Sequence, residues 1–274
     1  MPGSQFSFRK SITNKPLLYM LNFDAVIFDM DGVITQTAVV HSTAWKNMFD
    51  EYLFYRAKKY EETFREFTHA NDYLPYVDGR PRYQGVERFL QSRGINIPFG
   101  DPSDESTKET VCGLGNRKNQ FFNKILAEDG VALYDSTIKL IKELLGKGIK
   151  VGVATSSKNC VLILEKAGIT DLFETRVDGV VSAEIGLKGK PEPDIFTTAA
   201  DNLRVSYDRA VVVEDAVSGV QAGAKGNFGL VIGVAREENA EELKINGADI
   251  VVEDLSEINI EDIATFIEAK KVTT

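Results

Sequence analysis

The sequence is poor in cysteine and contains no long hydrophobic run. Its two cysteines, Cys112 and Cys160, lie far apart among 274 residues. One disulfide between them is possible in principle, but two free thiols in a reducing compartment are the simpler interpretation. No apolar stretch approaches the roughly 18 residues that a transmembrane helix requires. We therefore predict a cytoplasmic protein without a membrane span.

The sequence also lacks an excess of positive charge. It has 32 Lys and Arg residues against 41 Asp and Glu, which gives a formal net charge of −9 and a pI near 5.0. Because binding to a nucleic-acid backbone requires a basic face, this balance argues against nucleic acid as the main partner. It does not exclude a small phosphorylated substrate, for which a local cluster of cations and a metal ion suffices.

The first 22 residues contain Arg9, Lys10 and Lys15 but no acidic residue. An organellar presequence shares this composition, but there is neither the apolar core of a signal peptide nor a clear amphipathic pattern. We therefore interpret residues 1–22 as a frayed or loosely docked tail.

Five short apolar runs have the composition of buried parallel strands. The clearest, Ala25–Phe28, ends in Asp29-Met30-Asp31-Gly32. Similar runs cover residues 149–154, 210–213, 230–233 and 250–252. Helical patterns lie between or after them, at residues 137–145, 160–167, 194–203 and 237–246. This alternation predicts an α/β fold with a doubly wound, Rossmann-like parallel sheet.

The alternation is interrupted once, between residues 37 and 130, where the pattern is helical. Trp45, Met48, Phe49, Leu53 and Phe54 recur at helical spacing, for example. A stretch rich in Pro, Gly, Ser and Asp, residues 97–107, predicts a surface loop within this region. We expect a helical cap domain (37–130) over the carboxyl ends of the strands, inserted into a core domain (23–36 and 131–274).

Polar groups follow the predicted strands or lie in connecting loops, and parallel strands would bring them to one rim. Asp29 is a candidate nucleophile for a phosphoryl group, and Asp31 could carry the proton of the leaving oxygen. Lys190 would supply a fixed positive charge beside both. Thr155, Ser156 and Ser157, followed by a helix, would form a cradle for an anion. The candidate ligands of a Mg²⁺ ion are Asp29, Asp31, Glu214 and Asp215.

Four ordered motifs resemble those of the haloacid dehalogenase superfamily. They are Phe28-Asp29-Met30-Asp31-Gly32-Val33, Ala154-Thr155-Ser156-Ser157, Gly189-Lys190-Pro191-Glu192-Pro193-Asp194 and Val213-Glu214-Asp215-Ala216. This resemblance implies Mg²⁺-dependent phosphoryl transfer through a phosphorylated Asp29, with Asp31, Lys190 and Thr155 as the other catalytic residues.

The segment after the nucleophile, the Asp78-Gly79-Arg80-Pro81-Arg82 loop and the Arg117-Lys118-Asn119 segment resemble the β-phosphoglucomutase branch. The resemblance implies the following substrate-binding and phosphate-binding residues: Thr37, His41, Trp45, Gly79, Arg82, Lys118, Ser156, Ser157, Lys158 and Asn159. His41 would serve as a hinge or substrate contact, whereas Trp45 fits packing within the cap better than stacking on a sugar. Gln36 stands where this branch usually has an acid, and the cap carries extra residues, so the sugar is not specified.

The resemblance favours a sugar phosphomutase acting on a small phosphorylated sugar, with a hexose bisphosphate as intermediate, in a monomeric protein. A sugar-phosphate phosphatase is the alternative, because it would use the same phosphorylated aspartate and admit water. A non-catalytic binding or regulatory protein on the same fold is a remote third reading, since every core motif is intact.

Overall fold

The computed structural model describes residues 21–236 and 238–273, and these ranges contain one parallel sheet of six strands. The strands are β1 (Ala25–Phe28), β2 (Lys150–Ala154), β3 (Thr175–Val177), β4 (Ala210–Glu214), β5 (Leu230–Val234) and β6 (Ile250–Val252). They lie in the order β3-β2-β1-β4-β5-β6. The predicted doubly wound sheet is therefore confirmed, with all five predicted strands present.

Strand β1 shows why the strands have continuous apolar sequences. Its side chains alternate between two hydrophobic clusters, with Val26 and Phe28 in one and Ala25 and Ile27 in the other. Because helices cover both faces of the sheet, no face of β1 is left for polar residues. The edge strand β3 was not predicted, since its three residues include the exposed Arg176.

The core helices alternate with the strands. They are α5 (Asp135–Gly146), α6 (Cys160–Ala167), α7 (Gly179–Glu184), α8 (Asp194–Leu203), α9 (Val217–Lys225), α10 (Ala240–Ile245) and α11 (Ile260–Thr273). The helix predicted at 237–246 is shorter than expected. Glu238 has φ of 54°, a left-handed conformation that a right-handed helix excludes. Glu237 lies outside the described residues.

The predicted helical insertion between β1 and β2 is present. It consists of α1 (Thr37–Tyr60), a π-helical turn (His69–Tyr73), α2 (Leu74–Tyr76), α3 (Arg82–Ser92) and α4 (Val111–Asp129). The insertion, called the cap below, has its own core, in which Phe49 stacks on Phe67 and packs against Phe89. The predicted loop at 97–107 lies between α3 and α4 and has no helix or strand. Phe54, expected in the apolar stripe of α1, is instead 51% exposed.

The base of the cap packs on the sheet. Ala44 of α1 and Phe122 and Leu126 of α4 belong to the same hydrophobic cluster as Phe28 of β1. The exact division into tail, core domain and cap domain stays a prediction. Of the predicted tail, only residues 21 and 22 are described, and the Asn22 side chain donates to the carbonyl of Ala264 in α11.

Both cysteines are free and buried, as predicted. In the ranges 21–236 and 238–273, no helix combines the length and the apolarity needed to cross a membrane.

Candidate active site

The register of the sheet brings the strand ends to one rim. Phe28 of β1 lies opposite Val153 of β2 and Val213 of β4. The residues that follow Phe28 and Val213 therefore lie at the same height along the sheet, which places Asp29 beside Glu214. Strand β2 pairs with one edge of β1, and β4, which comes later in the chain, pairs with its other edge. This rim is therefore the topological switch point where open α/β sheets bind ligands.

One pocket at this rim contains nearly all of the predicted site residues. It is lined by Asp29, Asp31, His41, Trp45, Gly79, Arg82, Lys118, Thr155, Ser156, Ser157, Lys158, Asn159, Lys190, Glu214 and Asp215. Of the predicted residues, Thr37 does not line the pocket, but its hydroxyl contacts Asp31. The structure thus brings these residues together, while their individual roles stay predictions.

Lys190 lies between two buried acids. Its Nζ donates to Oδ1 of Asp29 at 2.6 Å and to Oε1 of Glu214 at 2.5 Å. The second oxygen of Glu214 accepts from the backbone amides of Asp215 and Ala216, at 2.6 and 2.9 Å. Glu214 is therefore anchored on both oxygens, and it holds the ammonium group beside Asp29.

Three carboxylates form a group of the size that a metal ion requires. Oxygen atoms of Asp29, Glu214 and Asp215 lie within 4.8 Å of one another. Burial raises the pKa of Asp29 to about 8, with Lys190 lowering it and Glu214 raising it further. Burial, followed by the charge of Glu214, raises the pKa of Asp215 well above its usual range. Three acids beside one ammonium group leave excess negative charge, and these hard oxygen donors fit Mg²⁺.

Asp31, the fourth predicted ligand, lies outside this carboxylate group. The Thr37 hydroxyl donates to its Oδ1, and Nε2 of His41 lies 3.5 Å from the same oxygen. Burial raises the pKa of Asp31, against the hydrogen bond from Thr37. A carboxyl with a raised pKa at the pocket wall suits proton transfer better than metal binding through its side chain.

His41 connects Asp31 to the cap. Its Nδ1 accepts a hydrogen bond of 2.6 Å from Nζ of Lys118, so the neutral ring carries its proton on Nε2, which faces Asp31. Burial and then the charges of Lys118 and Arg82 lower the pKa of His41 well below its usual value, which keeps the ring neutral. His41 thus lies between a cation and an acid, on helix α1, which follows the loop that begins at Asp29.

The loop after β2, predicted to be an anion cradle, is a tight turn held by its own hydrogen bonds. Thr155 Oγ1 accepts from the amide of Ser157 at 3.1 Å, and Ser157 Oγ accepts from the amide of Asn159 at 3.2 Å. Helix α6 begins at Cys160, directly after this turn. The loop therefore presents hydroxyl groups and a helix N-terminus to the pocket, as an anion site requires.

Two cations of the cap, the buried Lys118 and the half-buried Arg82, line the pocket. Lys118 is only 2% exposed, and its Nζ lies 5.1 Å from the Trp45 ring centre and 4.8 Å from that of Phe122. Arg82 donates to Oδ1 of Asn119 at 2.9 Å. In the part of the chain that the structure describes, neither cation forms a salt bridge with a carboxylate. Burial, and then the charge of Arg82, lowers the pKa of Lys118 well below its usual value. An anion bound here would offset the free-energy cost of keeping the Lys118 ammonium group buried and charged.

Trp45 supports Lys118 rather than standing free in the pocket. It is 4% exposed and stacks on Phe49 at 5.4 Å between ring centres. These contacts favour the packing interpretation, with one edge of the ring reaching the pocket.

Sequence reasoning missed several side chains at the pocket. Tyr73, Asp78 and Arg80 line it, and Asn119 bridges Arg82 to Asn159 of the core at 2.8 Å. Their positions in the predicted loop and next to Lys118 were the available signals, but only tertiary packing shows which of them face the pocket.

Gly32 allows the close approach of two loops. Its φ is 83°, and a Cβ at this position would lie 1.8 Å from Oδ2 of Asp215. A side chain here would therefore displace one of the candidate metal ligands. The geometry of the site therefore requires a glycine at position 32.

Comparison with known proteins identifies similar chains along most of the sequence. A family model described as haloacid dehalogenase-like hydrolase matches residues 23–227. The chain is 46% identical over 237 residues to β-phosphoglucomutase of Mycobacterium bovis, covering 85% of this chain and 90% of that protein. It is 34% identical over 242 residues to β-phosphoglucomutase of Bacillus subtilis, covering 86% and 92%. The crystal structure of β-phosphoglucomutase from Clostridium difficile matches with a TM-score of 0.71 at 25% identity, covering 91% of this chain and 99% of that one.

Proposed function

This chain belongs to the haloacid dehalogenase-like hydrolase family, in its β-phosphoglucomutase-like branch, and from this premise we propose that it is a hexose-phosphate phosphomutase. Family membership makes it an enzyme of the phosphomutase or phosphatase type. One observation carries the choice of mutase. The pocket holds the proposed nucleophile beside Lys190, together with two cap cations, Arg82 and Lys118, that have no carboxylate in salt-bridge contact among the described residues. A substrate with two phosphate groups fits this arrangement.

The proposed reaction begins with Asp29. Its carboxylate oxygen attacks phosphorus and forms an acyl phosphate, while the bond from phosphorus to the sugar oxygen breaks. The leaving oxygen takes a proton from Asp31, whose raised pKa favours the protonated form. In the reverse direction Asp31 removes the proton from an attacking sugar hydroxyl. The mutase cycle consists of one transfer in each direction, with a hexose bisphosphate between them.

Mg²⁺ is the proposed cofactor, and Asp29, Glu214 and Asp215 would hold it. When bound, it would offset the negative charge that Asp29 and the phosphoryl group bring together. Lys190 contributes a second positive charge at the nucleophile and keeps Glu214 in place. Thr155 and Ser157 would bind the oxygens of the transferring phosphoryl group through their hydroxyl groups, and Ser156 would do so through its backbone amide.

A mutase must keep water from the phosphorylated aspartate while the sugar reorients. Two contacts between cap and core support such a closed state. The Ser156 hydroxyl donates to the carbonyl of Gly79 at 3.0 Å, and Asn159 donates to Asn119 at 2.8 Å. A phosphatase would share the same core chemistry but admit water to this intermediate. The two activities therefore differ in whether the closed cap excludes water from the phosphorylated aspartate.

The test is an assay of the full chain with Mg²⁺ and a panel of hexose 1-phosphates, with and without a catalytic amount of hexose bisphosphate. We expect isomerised hexose 6-phosphate to form faster than free phosphate, and the bisphosphate to shorten the lag. Rapid release of phosphate without isomerised sugar would instead identify a phosphatase. Turnover of neither kind with any sugar phosphate would contradict the proposal.

A further inference from the structure

A cap loop carries one more carboxylate, Asp78, to the wall of the active-site pocket. The loop is docked on the core by its backbone. A Cβ on Gly79, whose φ is 68°, would lie 2.2 Å from Oγ of Ser218 and 3.3 Å from Cβ of Ala216. The carbonyl of Gly79 also accepts the hydrogen bond of Ser156. Asp78 is therefore held against the segment that directly follows β4.

The Asp78 side chain lies within electrostatic reach of the candidate metal ligands. After burial and Glu214, its charge is the next cause of the raised pKa of Asp215. Burial, and then the negative charge of Asp78, raise the pKa of the Tyr73 hydroxyl well above its usual value, and the Tyr73 ring stacks on His69 at 5.0 Å. Asp78 therefore lies near a tyrosine that is buried in the cap and lines the same pocket.

This arrangement has a consequence for the closed state. Closure of the cap adds a fourth carboxylate to the group formed by Asp29, Glu214 and Asp215. Without a cation, the charge of Asp78 opposes closure by repulsion. With a divalent cation among the three core acids, the same charge is attracted, and its interaction is stronger in the low dielectric of a closed pocket than in water.

We propose that Asp78 is a positioning residue that couples closure of the cap to occupancy of the metal site. Closure and metal binding then favour each other by the same factor, because coupling between two equilibria is reciprocal. Thr155–Ser157 and Asp29 alone would not create this coupling, because they belong to the core whether the cap is open or closed. The inference rests on the proposed metal site. The ligand whose binding is coupled to closure is Mg²⁺ alone, without sugar.

The experiment titrates the full chain with MgCl₂ at constant ionic strength. Binding is measured by calorimetry, and closure by the fluorescence of Trp45, the only tryptophan of the chain, which lines the pocket. In the wild type we expect a saturable change in fluorescence that follows binding. In Asp78→Asn we expect Mg²⁺ to bind about threefold to tenfold more weakly, because site affinity follows the number of nearby charges. We also expect a smaller fluorescence change.

Two further variants separate charge from structure. Asp78→Glu keeps the charge and should bind Mg²⁺ nearly as the wild type does. Asp129→Asn removes an exposed carboxylate at the end of α4 and should change neither signal. Wild-type affinity and amplitude in Asp78→Asn would overturn the proposal, as would equal losses in the Asn and Glu variants. Absence of saturable Mg²⁺ binding in the wild type would instead overturn the metal site itself, and the coupling with it.

Discussion

The ammonium group of Lys190 lies 2.6 Å from Oδ1 of Asp29, and both side chains are buried. The same ammonium group is shared with Glu214, so a single cation serves two acids. Attack of a carboxylate on an anionic phosphoryl group needs more positive charge than this, since two unit charges at about 4 Å repel by about 4 kcal/mol even at an effective dielectric of 20. The pair therefore supports the proposed role of Asp29 as the nucleophile, which requires a further cation beside it.

The first prediction concerns Asp29. Asp29→Asn should abolish sugar turnover and covalent phosphorylation, because an amide oxygen of the same shape does not form a stable bond to phosphorus. The measurement is the gain of one phosphoryl group in intact mass after incubation with acetyl phosphate and Mg²⁺.

Asp31→Asn is the matched comparison. It should lose turnover of hexose phosphate but still accept a phosphoryl group from acetyl phosphate, whose leaving group needs no proton. Phosphorylation of the Asp29→Asn variant would exclude Asp29 as the nucleophile. Equal loss of labelling in both variants would show that Asp31 supports the site rather than carrying a proton.

The second prediction concerns the metal site. Asp215→Ala removes one of three carboxylates and should raise the Mg²⁺ concentration needed for half-maximal activity by about tenfold or more, or abolish activity. Because Glu214 is anchored by Lys190 and two amides, the local backbone should survive this change. Activity is measured across a range of Mg²⁺ after chelation of the enzyme. Full activity of the wild type without a divalent cation would contradict the proposed role of the metal.

The sequence predicts the sheet well because its strands are short and fully buried. Ala25–Phe28 is apolar on both faces, and the polar residue that follows each strand is fixed by the chain itself. Parallel pairing then brings Asp29 and Glu214 together without further information. Three of the four motifs that carry the resemblance lie at these strand ends, and the fourth, which contains Lys190, lies in the loop between α7 and α8. The family to which they pointed is confirmed.

The cap was less predictable because its side chains reach the pocket through tertiary packing. Tyr73 lies in a π-helical turn, and Asp78 reaches the pocket because Gly79 docks on the core. The sequence also did not show the direction of the Asp31 side chain. It accepts a hydrogen bond from Thr37 instead of joining the group formed by Asp29, Glu214 and Asp215, and this depends on how the backbone turns after Asp29. Such contacts join residues from separate elements, and no local pattern encodes them.

The third prediction concerns the stability of the cap. Arg93 and Asp72 form a buried pair, with Arg93 Nη2 lying 2.8 Å from Oδ1 of Asp72. The other Asp72 oxygen accepts from the amide and hydroxyl of Thr68. Arg93→Ala should lower the free energy of unfolding by about 3–5 kcal/mol, because it leaves a buried charge without its partner. The measurement is urea denaturation at neutral pH.

The dependence on pH provides the control. Burial alone would raise the pKa of Asp72, but Arg93 and Thr68 outweigh it and hold the pKa below its usual value. Because the pKa of Asp72 is lower in the folded state than in the unfolded state, where it is about 3.9, its ionisation stabilises the protein at pH values above about 3.9. This stabilisation is lost as the pH falls through the pKa of the folded state. The difference between wild type and Arg93→Ala should therefore shrink at acidic pH. The double variant with Asp72→Asn should be less destabilised than Arg93→Ala, and a difference between wild type and Arg93→Ala that does not shrink as pH falls below about 4 would contradict this account.

The fourth prediction concerns Arg82, on which the choice between mutase and phosphatase depends. If Arg82 binds the second phosphate, a charge-assisted contact of about 1.5–3 kcal/mol helps to hold the cap closed over the phosphorylated aspartate. Arg82→Ala should therefore reduce the rate of hexose-phosphate isomerisation by roughly tenfold to a hundredfold. The rate of phosphorylation by acetyl phosphate, which has no second phosphate, should change much less. Both rates are measured on the same preparation.

Arg88 provides the control, because it lies on the exposed face of the same helix, α3. Arg88→Ala removes the same side chain and charge from the cap and should leave both rates unchanged. Equal losses with both donors in Arg82→Ala would show that Arg82 supports the fold of the cap, where it binds Asn119, rather than the substrate. A loss of isomerisation accompanied by faster release of free phosphate would show that Arg82 excludes water from the intermediate, which is the property that separates a mutase from a phosphatase on this fold.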